Sequence, residues 1–278
     1  MQPIKVMVNG IPGKVAANIA KHFLEDSRFT LLYHSLTGAE VEPAEYPIGP
    51  VSIGLIKPDV RDQKIQDIKS TEGPFIMVDF TLPSAVNDNA DFYCRHQVPF
   101  VMGTTGGDRE ALQQSVLDSP VCAVIAPNMA KQIVGFQAMM AYASENFPGL
   151  FSGYSLEIKE SHQSTKVDTS GTAKAMVHYF NRFGIEFSEN DIIKIRDPET
   201  QKNEWGIPDT YLNGHAWHTY TLVSPDGTAR FQFSHNINGR DIYSWGTFDA
   251  VLFLQQKIHS GESGRVYTMI DVLKGDAS

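Results

Sequence analysis

The sequence predicts an α/β protein of two domains, a doubly wound parallel sheet at the N-terminal side and an α+β domain with a mixed sheet after it. Two patterns carry this prediction. Up to residue 129, short β-branched strands alternate with stretches whose apolar residues recur at helical spacing. Beyond it, strands that alternate apolar and polar residues are typical of a sheet with one covered face. We expect one domain at 1–129 with 243–278 and the other at 130–242.

The composition excludes several classes of function. The chain has 278 residues, a formal net charge of −9 and a pI near 5.4, and its lysines and arginines are scattered. Nucleic acids and anionic membranes attract clustered positive charge, so we expect neither as a partner. No apolar run reaches the about 18 residues that a membrane span needs.

The cysteines and the N-terminus bear on the compartment. Cys94 and Cys122 both lie in apolar stretches, which predicts buried, reduced thiols and no metal site. Met1 stands a few residues before the first strand, which leaves no room for a targeting peptide. We expect a cytoplasmic protein, with the plastid stroma as the alternative if a transit peptide was removed.

The first predicted unit is a strand, a glycine turn and a helix. Residues 4–8 form a β-branched run, Gly10-x-x-Gly13-x-x-Ala16 is a turn by composition, and apolar residues from Val15 onward fall at helical spacing. Glycines there let the backbone approach a pyrophosphate, and the N–H groups of the helix start attract its charge. The unit predicts a Rossmann-type dinucleotide site, although an ordinary strand-to-helix turn would also explain such glycines.

The end of the second predicted strand bears on the choice of cofactor. NAD-selective sites usually place an acidic residue about 20 residues after the glycines, and residues 33–37 contain none. Lys14, Ser35 and Thr37 offer a positive charge and two hydroxyl groups to a 2′-phosphate instead. We expect the protein to bind NADPH at least as well as NADH.

Three later strands, at 75–80, 99–102 and 121–125, each end in a loop of small, polar or proline residues. In an open parallel sheet, ligands bind at the carboxyl ends of the strands, so these loops and the first turn should line one crevice. The residues expected to contact the cofactor are Asn9, Gly10, Ile11, Pro12, Gly13, Lys14, Val15, Ser35, Thr37, Phe80, Thr81, Gly103, Thr104, Thr105, Ala126, Pro127, Asn128 and Met129.

The second domain contains a loop rich in chemically active side chains, E-S-H-Q-S-T-K-V-D-T-S-G-T at 160–172. It leaves a strand at its first residue and ends where an amphipathic helix begins, at Ser170-Gly171-Thr172. Free N–H groups at a helix start bind anions, and Lys166 adds a full positive charge, so a carboxylate is an expected ligand. His162 has an unperturbed pKa near 6.5 and is the expected proton donor near neutral pH.

These residues resemble the 4-hydroxy-tetrahydrodipicolinate reductase (dihydrodipicolinate reductase) family, and the resemblance extends over nearly the whole chain. It implies hydride transfer from NADPH or NADH to a small cyclic dicarboxylate, with loss of water, on the route to lysine and diaminopimelate. It also implies that His162 donates and accepts the proton, that Lys166 is a second donor that holds substrate, and that the Gly171-Thr172 backbone binds a carboxylate. Arg240 matches a family arginine and is a further candidate. The implied assembly is a homo-oligomer, a tetramer or a dimer, formed by the second domain.

Two departures point to the plant and cyanobacterial-type branch. Gln163 replaces the second histidine of the bacterial pattern, and the run Asp168 to Thr172 lacks one residue and the proline. Gln163 can donate a hydrogen bond to a carboxylate but cannot titrate, so we expect it to bind substrate only. Two alternatives stay open, a nucleotide-binding redox sensor without turnover and another two-domain NAD(P)-dependent oxidoreductase.

Overall fold

A computed structural model describes residues 2–275. In chain order the strands are β1 (Ile4–Asn9), β2 (Phe29–Leu31), β3 (His34–Leu36), β4 (Glu45–Ile48), β5 (Val51–Ile56), β6 (Ile76–Asp79), β7 (Phe100–Met102), β8 (Cys122–Ile125), β9 (Ser155–His162), β10 (Ile193–Ile195), β11 (His215–Val223), β12 (Arg230–Asn238) and β13 (Arg265–Tyr267). The helices are α1 (Lys14–Glu25), α2 (Arg61–Glu72), α3 (Val86–Arg95), α4 (Arg109–Leu117), α5 (Lys131–Asn146), α6 (Gly171–Arg182), α7 (Pro198–Asn203), α8 (Asp241–His259) and α9 (Met269–Lys274).

The chain divides into two compact units, one formed by residues up to Val134 and from Asp241 onward, the other by Gly135–Arg240. The domain limits expected from the sequence lie within a few residues of these divisions. Met1 and 276–278, which the expected first domain includes, lie outside the described residues. Within the described part of the chain, no helix is both long and apolar enough to cross a membrane.

The first unit is built on a six-stranded parallel sheet in the order β13-β8-β7-β6-β1-β2. Successive side chains of its strands enter opposite cores, as the two-residue period of a strand requires. Val6 and Val8 pack into a core with α1 and α8, whereas Met7 packs into a second core with α2, α3 and α4. Both faces of the sheet are therefore covered, and the predicted α/β class is confirmed.

Two parts of this unit differ from the sequence-based expectation. The pattern of residues 29–33 predicts the second strand, but β2 ends at Leu31 in the main sheet, and the next strand, β3, belongs to a small separate sheet of order β3-β5-β4. Asn9 holds β3 in place, since its Oδ1 accepts a hydrogen bond from the Leu36 N–H, 2.9 Å away. The pattern of residues 267–273 predicts a helix, whereas Tyr267 is the last residue of β13, which pairs with β8 before α9 starts at Met269.

The second unit contains a four-stranded mixed sheet in the order β10-β9-β11-β12. β10 runs parallel to β9, and the other pairs are antiparallel. Ile158, Tyr220 and Leu222 of the sheet pack with Met176 and Phe180 of α6 in one core. The helix covers this face of the sheet, and the predicted mixed sheet is confirmed.

Candidate active site

The glycine turn after β1 has a backbone that only glycine adopts without strain. Gly10 has φ +102°, and a Cβ atom added there would overlap the main chain of Phe80. A Cβ at Gly13 would lie 2.7 Å from the Gly10 carbonyl oxygen. The peptide bond between Ile11 and Pro12 is cis. Helix α1 then begins without a side-chain cap among the described residues, so its first N–H groups face the turn.

A cavity of about 410 Å³ opens beside this turn. Six of the residues expected to contact the cofactor line it: Gly10, Pro12, Gly13, Thr37, Phe80 and Thr81. It is also lined by residues that the sequence did not single out: Leu36, Gly38, Glu40, Val41, Ile56, Pro58, Arg61, Leu82, Ala85, Asp88 and Asn89. Its apolar walls, with the turn at one end, suit a dinucleotide.

The other expected contacts are outside this lining. They are Asn9, Ile11, Lys14, Val15, Ser35, Gly103, Thr104, Thr105, Ala126, Pro127, Asn128 and Met129. Among them, the side chains of Ala126 and Met129 are buried in the core that contains α1 and α8. Any contact of these two residues with a cofactor must come from the main chain.

One expectation about the 2′-phosphate, the contact of Ser35, needs correction. Ser35 is fully buried, and its hydroxyl accepts a hydrogen bond from the Ile11 N–H at 3.2 Å and donates to the Leu36 carbonyl at 3.3 Å. It supports the turn and is not directed into the cavity. Residues 33–37 contain no acidic residue, as the sequence shows, but Glu40 lines the cavity beside Thr37 and Gly38.

The buried carboxylate of Asp79 joins the loops after β6 and β7. Its Oδ1 accepts hydrogen bonds from the Thr81 hydroxyl at 2.8 Å and the Thr104 hydroxyl at 2.7 Å, and its Oδ2 accepts from Tyr93 at 2.6 Å and Asn89 at 3.0 Å. Burial, with the adjacent Asp79, raises the pKa of Tyr93, so this phenol stays a donor. Asp79 thus fixes the ends of two strands where a cofactor is expected.

In the second unit, a row of polar side chains crosses the sheet face that α6 covers. Glu160 on β9 pairs in register with His218 on β11, which pairs with His235 on β12. Glu160 and His218 are buried, as is His162, two residues further along β9 on the same face. The rings of His162 and His218 lie 5.1 Å apart, and those of His218 and His235 stack at 4.6 Å.

The Glu160 carboxylate is the centre of this row. One oxygen forms an ion pair with Arg196, and Oε2 accepts a hydrogen bond from the Ser170 N–H at 3.0 Å. The same Oε2 lies 3.7 Å from Nε2 of His218 and 3.9 Å from Nε2 of His162. Burial works against ionisation, but the nearby His218 and hydrogen bonds from Arg196 and Ser170 hold the pKa of Glu160 well below its ordinary value. The carboxylate is therefore ionised.

Ser170 is the N-cap of α6, as the sequence predicted. Its hydroxyl accepts from the Ala173 N–H at 3.0 Å and is hydrogen-bonded to Nε2 of His218 at 2.8 Å. Because this hydroxyl is occupied and buried, the main chain of the next residues, Gly171 and Thr172, offers the better anion-binding groups.

Lys166 lies in the loop between β9 and α6. Its Nζ forms an ion pair with Asp168 at 2.8 Å, and its main-chain carbonyl accepts a hydrogen bond from Nε of Arg196 at 2.8 Å. Lys166 lowers the pKa of Asp168 through this hydrogen bond. The Lys166 N–H also bonds the Gln163 carbonyl at 2.9 Å, which closes a turn.

Arg240 lies near the same end of the mixed sheet as His162. Ala216, near the start of β11, pairs with His162, and the neighbouring His215 pairs with Asn238 at the end of β12. Arg240 follows two residues later, with Nη1 close to Gly214. The chain therefore brings all the residues expected to bind substrate to one end of the mixed sheet.

His162 differs from the expectation for an ordinary histidine. Burial and the charge of His218 lower the pKa of His162 to about 3, with smaller lowering contributions from Arg196 and Lys166, and Glu160 alone opposes them. Within residues 2–275, no hydrogen-bond partner reaches its Nε2. With only these neighbours, His162 is a neutral imidazole near pH 7, so it needs additional negative charge nearby to hold a proton.

Sequence reasoning missed Glu160, Arg196, His218, His235 and Gln201. Gln201 on α7 is fully buried and donates a hydrogen bond to the His162 carbonyl at 2.7 Å. The signal for Glu160, His218 and His235 was a polar residue at an inward position of a strand, which can be recognised only once the strands are paired, and Arg196 follows directly after β10.

The same row could be considered as a metal site, because Glu160, His162 and His218 present ligand-type atoms within 4.8 Å of one another. A cation there would compete with Arg196 for Glu160 and with Ser170 for His218. The geometry therefore favours a hydrogen-bonded proton site.

A Rossmann-type sheet with a glycine-bounded cavity, and a separate unit with a buried histidine beside a lysine and a helix start, define a two-domain nucleotide-dependent oxidoreductase. Models of the two halves of dihydrodipicolinate reductase match the chain, the N-terminus at residues 4–129 and the C-terminus at residues 133–273. The chain therefore belongs to the dihydrodipicolinate reductase family and is an NAD(P)H-dependent oxidoreductase.

Similar proteins agree with this assignment. The chloroplastic 4-hydroxy-tetrahydrodipicolinate reductase 2 of Arabidopsis thaliana is 45% identical over 98% of this chain and 77% of its own length. The probable chloroplastic reductase 1 of Oryza sativa subsp. japonica is 44% identical over 97% of this chain and 78% of its own. A dipicolinate-bound dihydrodipicolinate reductase from Paenisporosarcina sp. TG-14 shares the fold, with 18% identity, a TM-score of 0.65 and coverage of 96% and 97% of the two chains.

Proposed function

We propose that this protein reduces 4-hydroxy-tetrahydrodipicolinate to tetrahydrodipicolinate with NAD(P)H, in the biosynthesis of diaminopimelate and lysine. Reduction of this substrate consumes a hydride and a proton and releases water. The observation that carries the proposal is the Glu160 carboxylate, which lies beside His162, binds the N–H of Ser170 at the start of α6 and is joined through Arg196 to Lys166, in a chain of this family. A positioned acid and an anion site favour turnover over a sensor that only binds a nucleotide.

The residues of the second unit divide the work between binding and proton transfer. The N–H groups of Gly171 and Thr172 and the charge of Lys166 bind one substrate carboxylate. Gln163 and Arg240 contact the other polar groups of the substrate. The carboxylates bring negative charge beside His162, which raises its pKa from about 3 and lets it carry the proton that the reaction consumes.

The first unit holds the nucleotide, which supplies the hydride when it is bound. The glycine turn and the N–H groups at the start of α1 receive the pyrophosphate, and the cavity that reaches Thr37 and Arg61 receives the adenosine half. The loops after β6, β7 and β8, which Asp79 partly ties together, lie at the carboxyl ends of the strands where the rest of the cofactor belongs.

For the choice of cofactor, we keep the proposal that NADPH binds at least as well as NADH. The groups that favour a 2′-phosphate are Lys14 after the turn and Thr37 and Arg61 in the cavity. The negative charge of Glu40, which also lines the cavity, opposes it. Titration of the protein with each cofactor, followed by quenching of its own fluorescence, tests this. A large preference for NADH would contradict it.

We also propose that the protein is a homo-oligomer, a dimer or a tetramer. β12 is an edge strand of the mixed sheet, and Phe231 near its start is an exposed aromatic residue. An exposed apolar group on a strand at the edge of a sheet is typical of an association surface. Light scattering coupled to size exclusion measures the mass directly. For the compartment, the chloroplastic plant relatives favour the plastid stroma over the cytoplasm.

The decisive experiment is a coupled assay in which a synthase generates the unstable substrate in place and NADPH absorbance is followed. We expect consumption that depends on both the synthase and this protein. Folded protein that consumes neither NADPH nor NADH under these conditions would refute the proposed reaction.

A further inference from the structure

The carboxylate of Glu160 is placed to act on His162 and is not itself exposed to a substrate. It is fully buried, and its Oε2 lies 3.9 Å from Nε2 of His162. Arg196 fixes the other oxygen, and the same guanidinium donates to the Glu160 carbonyl at 3.2 Å and the Lys166 carbonyl at 2.8 Å. The Glu160 side chain therefore cannot turn away from His162 without breaking its ion pair with Arg196 and its hydrogen bond from the Ser170 N–H.

The charged and titratable groups around His162 come from every neighbouring element. Glu160 belongs to its own strand, His218 to β11 and Arg196 to the segment after β10, while Lys166 follows in the loop. Only Glu160 favours a proton on His162, and the other three oppose it. Two further titratable groups contact these neighbours of His162. His235 stacks on His218, and Asp168 forms an ion pair with Lys166.

We propose that Glu160 is a positioning residue that keeps a proton on His162 once a dicarboxylate occupies the site, and that His218 opposes it. The negative charge of Glu160 stands on one side of the imidazole, and the ligand carboxylate adds a second on the other. The imidazolium is stable only while both are present. Binding of a dicarboxylate is therefore coupled to the uptake of a proton by His162.

This inference rests on the proposed function for the ligand class, but its test does not need turnover. The probe is pyridine-2,6-dicarboxylate, an unreactive planar dicarboxylate, and the method is titration calorimetry in two buffers of different ionisation enthalpy at pH 6.5. The difference between buffers gives the protons taken up per ligand bound. We expect about half to one proton for the unaltered protein, and none for His162→Gln.

Two variants separate the roles of the neighbours. Glu160→Gln should abolish the uptake at pH 6.5, because the imidazolium loses its buried counter-charge. His218→Gln keeps a hydrogen-bonding group for Ser170 but removes an opposing charge, so uptake should persist to a pH about one unit higher. The matched control is Glu157→Gln on the outer face of β9, where Glu157 pairs with Lys159, and it should behave like the unaltered protein.

The outcomes are distinct. Binding without proton uptake by the unaltered protein, or uptake that survives in Glu160→Gln, would overturn the role of Glu160. Circular dichroism shows whether Glu160→Gln folds. If it does not, the unaltered protein and His218→Gln still test the proposal. An unchanged or lowered pH range of proton uptake in His218→Gln would also contradict it. Proton-linked binding without NAD(P)H consumption in the coupled assay would instead leave this inference standing and remove the proposed reaction.

Discussion

The nucleotide cavity of the first unit and the proton site of the second unit use different parts of the chain for recognition. At the turn of the first unit, recognition depends on the main chain, and the essential residues are those with no side chain, Gly10 and Gly13. In the second unit, recognition depends on polar side chains in a row centred on the buried, ionised carboxylate of Glu160. The glycines that let the main chain approach a ligand closely lie in one short motif. A buried charge network forms only when strands that are distant in the sequence pair. Four changes, from the largest expected effect to the smallest, test this contrast.

Replacement of His162 by alanine removes the proposed acid. Turnover should fall by about 10²- to 10⁴-fold, the usual contribution of general acid catalysis, while the dissociation constant of NADPH stays the same. Steady-state kinetics and cofactor titration measure the two quantities. His178→Ala, on the exposed side of α6, is the matched control and should keep full turnover. Near-normal turnover in the His162 variant would exclude this residue as the acid.

Replacement of Gly10 by alanine tests the turn. Both the left-handed φ of +102° and the overlap of a Cβ with the Phe80 main chain oppose it, so we expect the variant to lose at least about tenfold in NADPH affinity and about 2 kcal/mol in the free energy of unfolding. Gly73→Ala at the end of α2 is the control, because it has φ +73° but nothing within 4 Å. It should lose about 1 kcal/mol of stability and no affinity. Equal losses of NADPH affinity and stability in Gly10→Ala and Gly73→Ala would mean that the close approach of the Gly10 main chain to Phe80 does not matter.

Acid should weaken the second unit through a partly buried histidine, His235. Burial and the charge of His218 lower the pKa of His235 to about 4, below the value near 6.5 of an unfolded chain. Between these values the unfolded state binds more protons than the native state, so stability falls as the pH drops from about 6.5 to about 4. We expect a loss on the order of 2 kcal/mol from this group.

Denaturant titrations at pH 7 and pH 5 measure this loss, and His235→Gln should make it smaller while His259→Gln, at the exposed end of α8, should not. Hydrogen exchange at pH 5 gives a regional reading, in which amides of β11 and β12 lose protection more than those of β6 and β7. Stability that rises on acidification would contradict the partly buried, neutral state of His235.

The same contrast explains what the sequence revealed. The α/β class and the mixed sheet followed from strand and helix periodicity, and the turn at Gly10 and the cap at Ser170 followed from local chemistry that is contiguous in the chain. Arg196 and His218 were missed because their importance comes from register, in which Glu160 pairs with Lys194 on one side and His218 on the other. The lowered pKa of His162 was missed for a related reason, since burial cannot be read from a loop motif alone.

Glu40 shows the limit of the rule that places the acidic residue of an NAD-selective site about 20 residues after the glycines. The window at 33–37 contains no acid, but the chain continues past Thr37 and Gly38 along the same wall of the cavity, so the carboxylate of Glu40 reaches it from outside the window. If a 2′-phosphate binds there, neutralising this charge removes a repulsion that is partly screened by solvent. Glu40→Gln should therefore tighten NADPH by about threefold to tenfold and leave NADH unchanged or weaker, whereas Glu45→Gln on β4, outside the cavity lining, should alter neither. Equal changes for both cofactors would mean that Glu40 faces a part of the nucleotide that NADH and NADPH share.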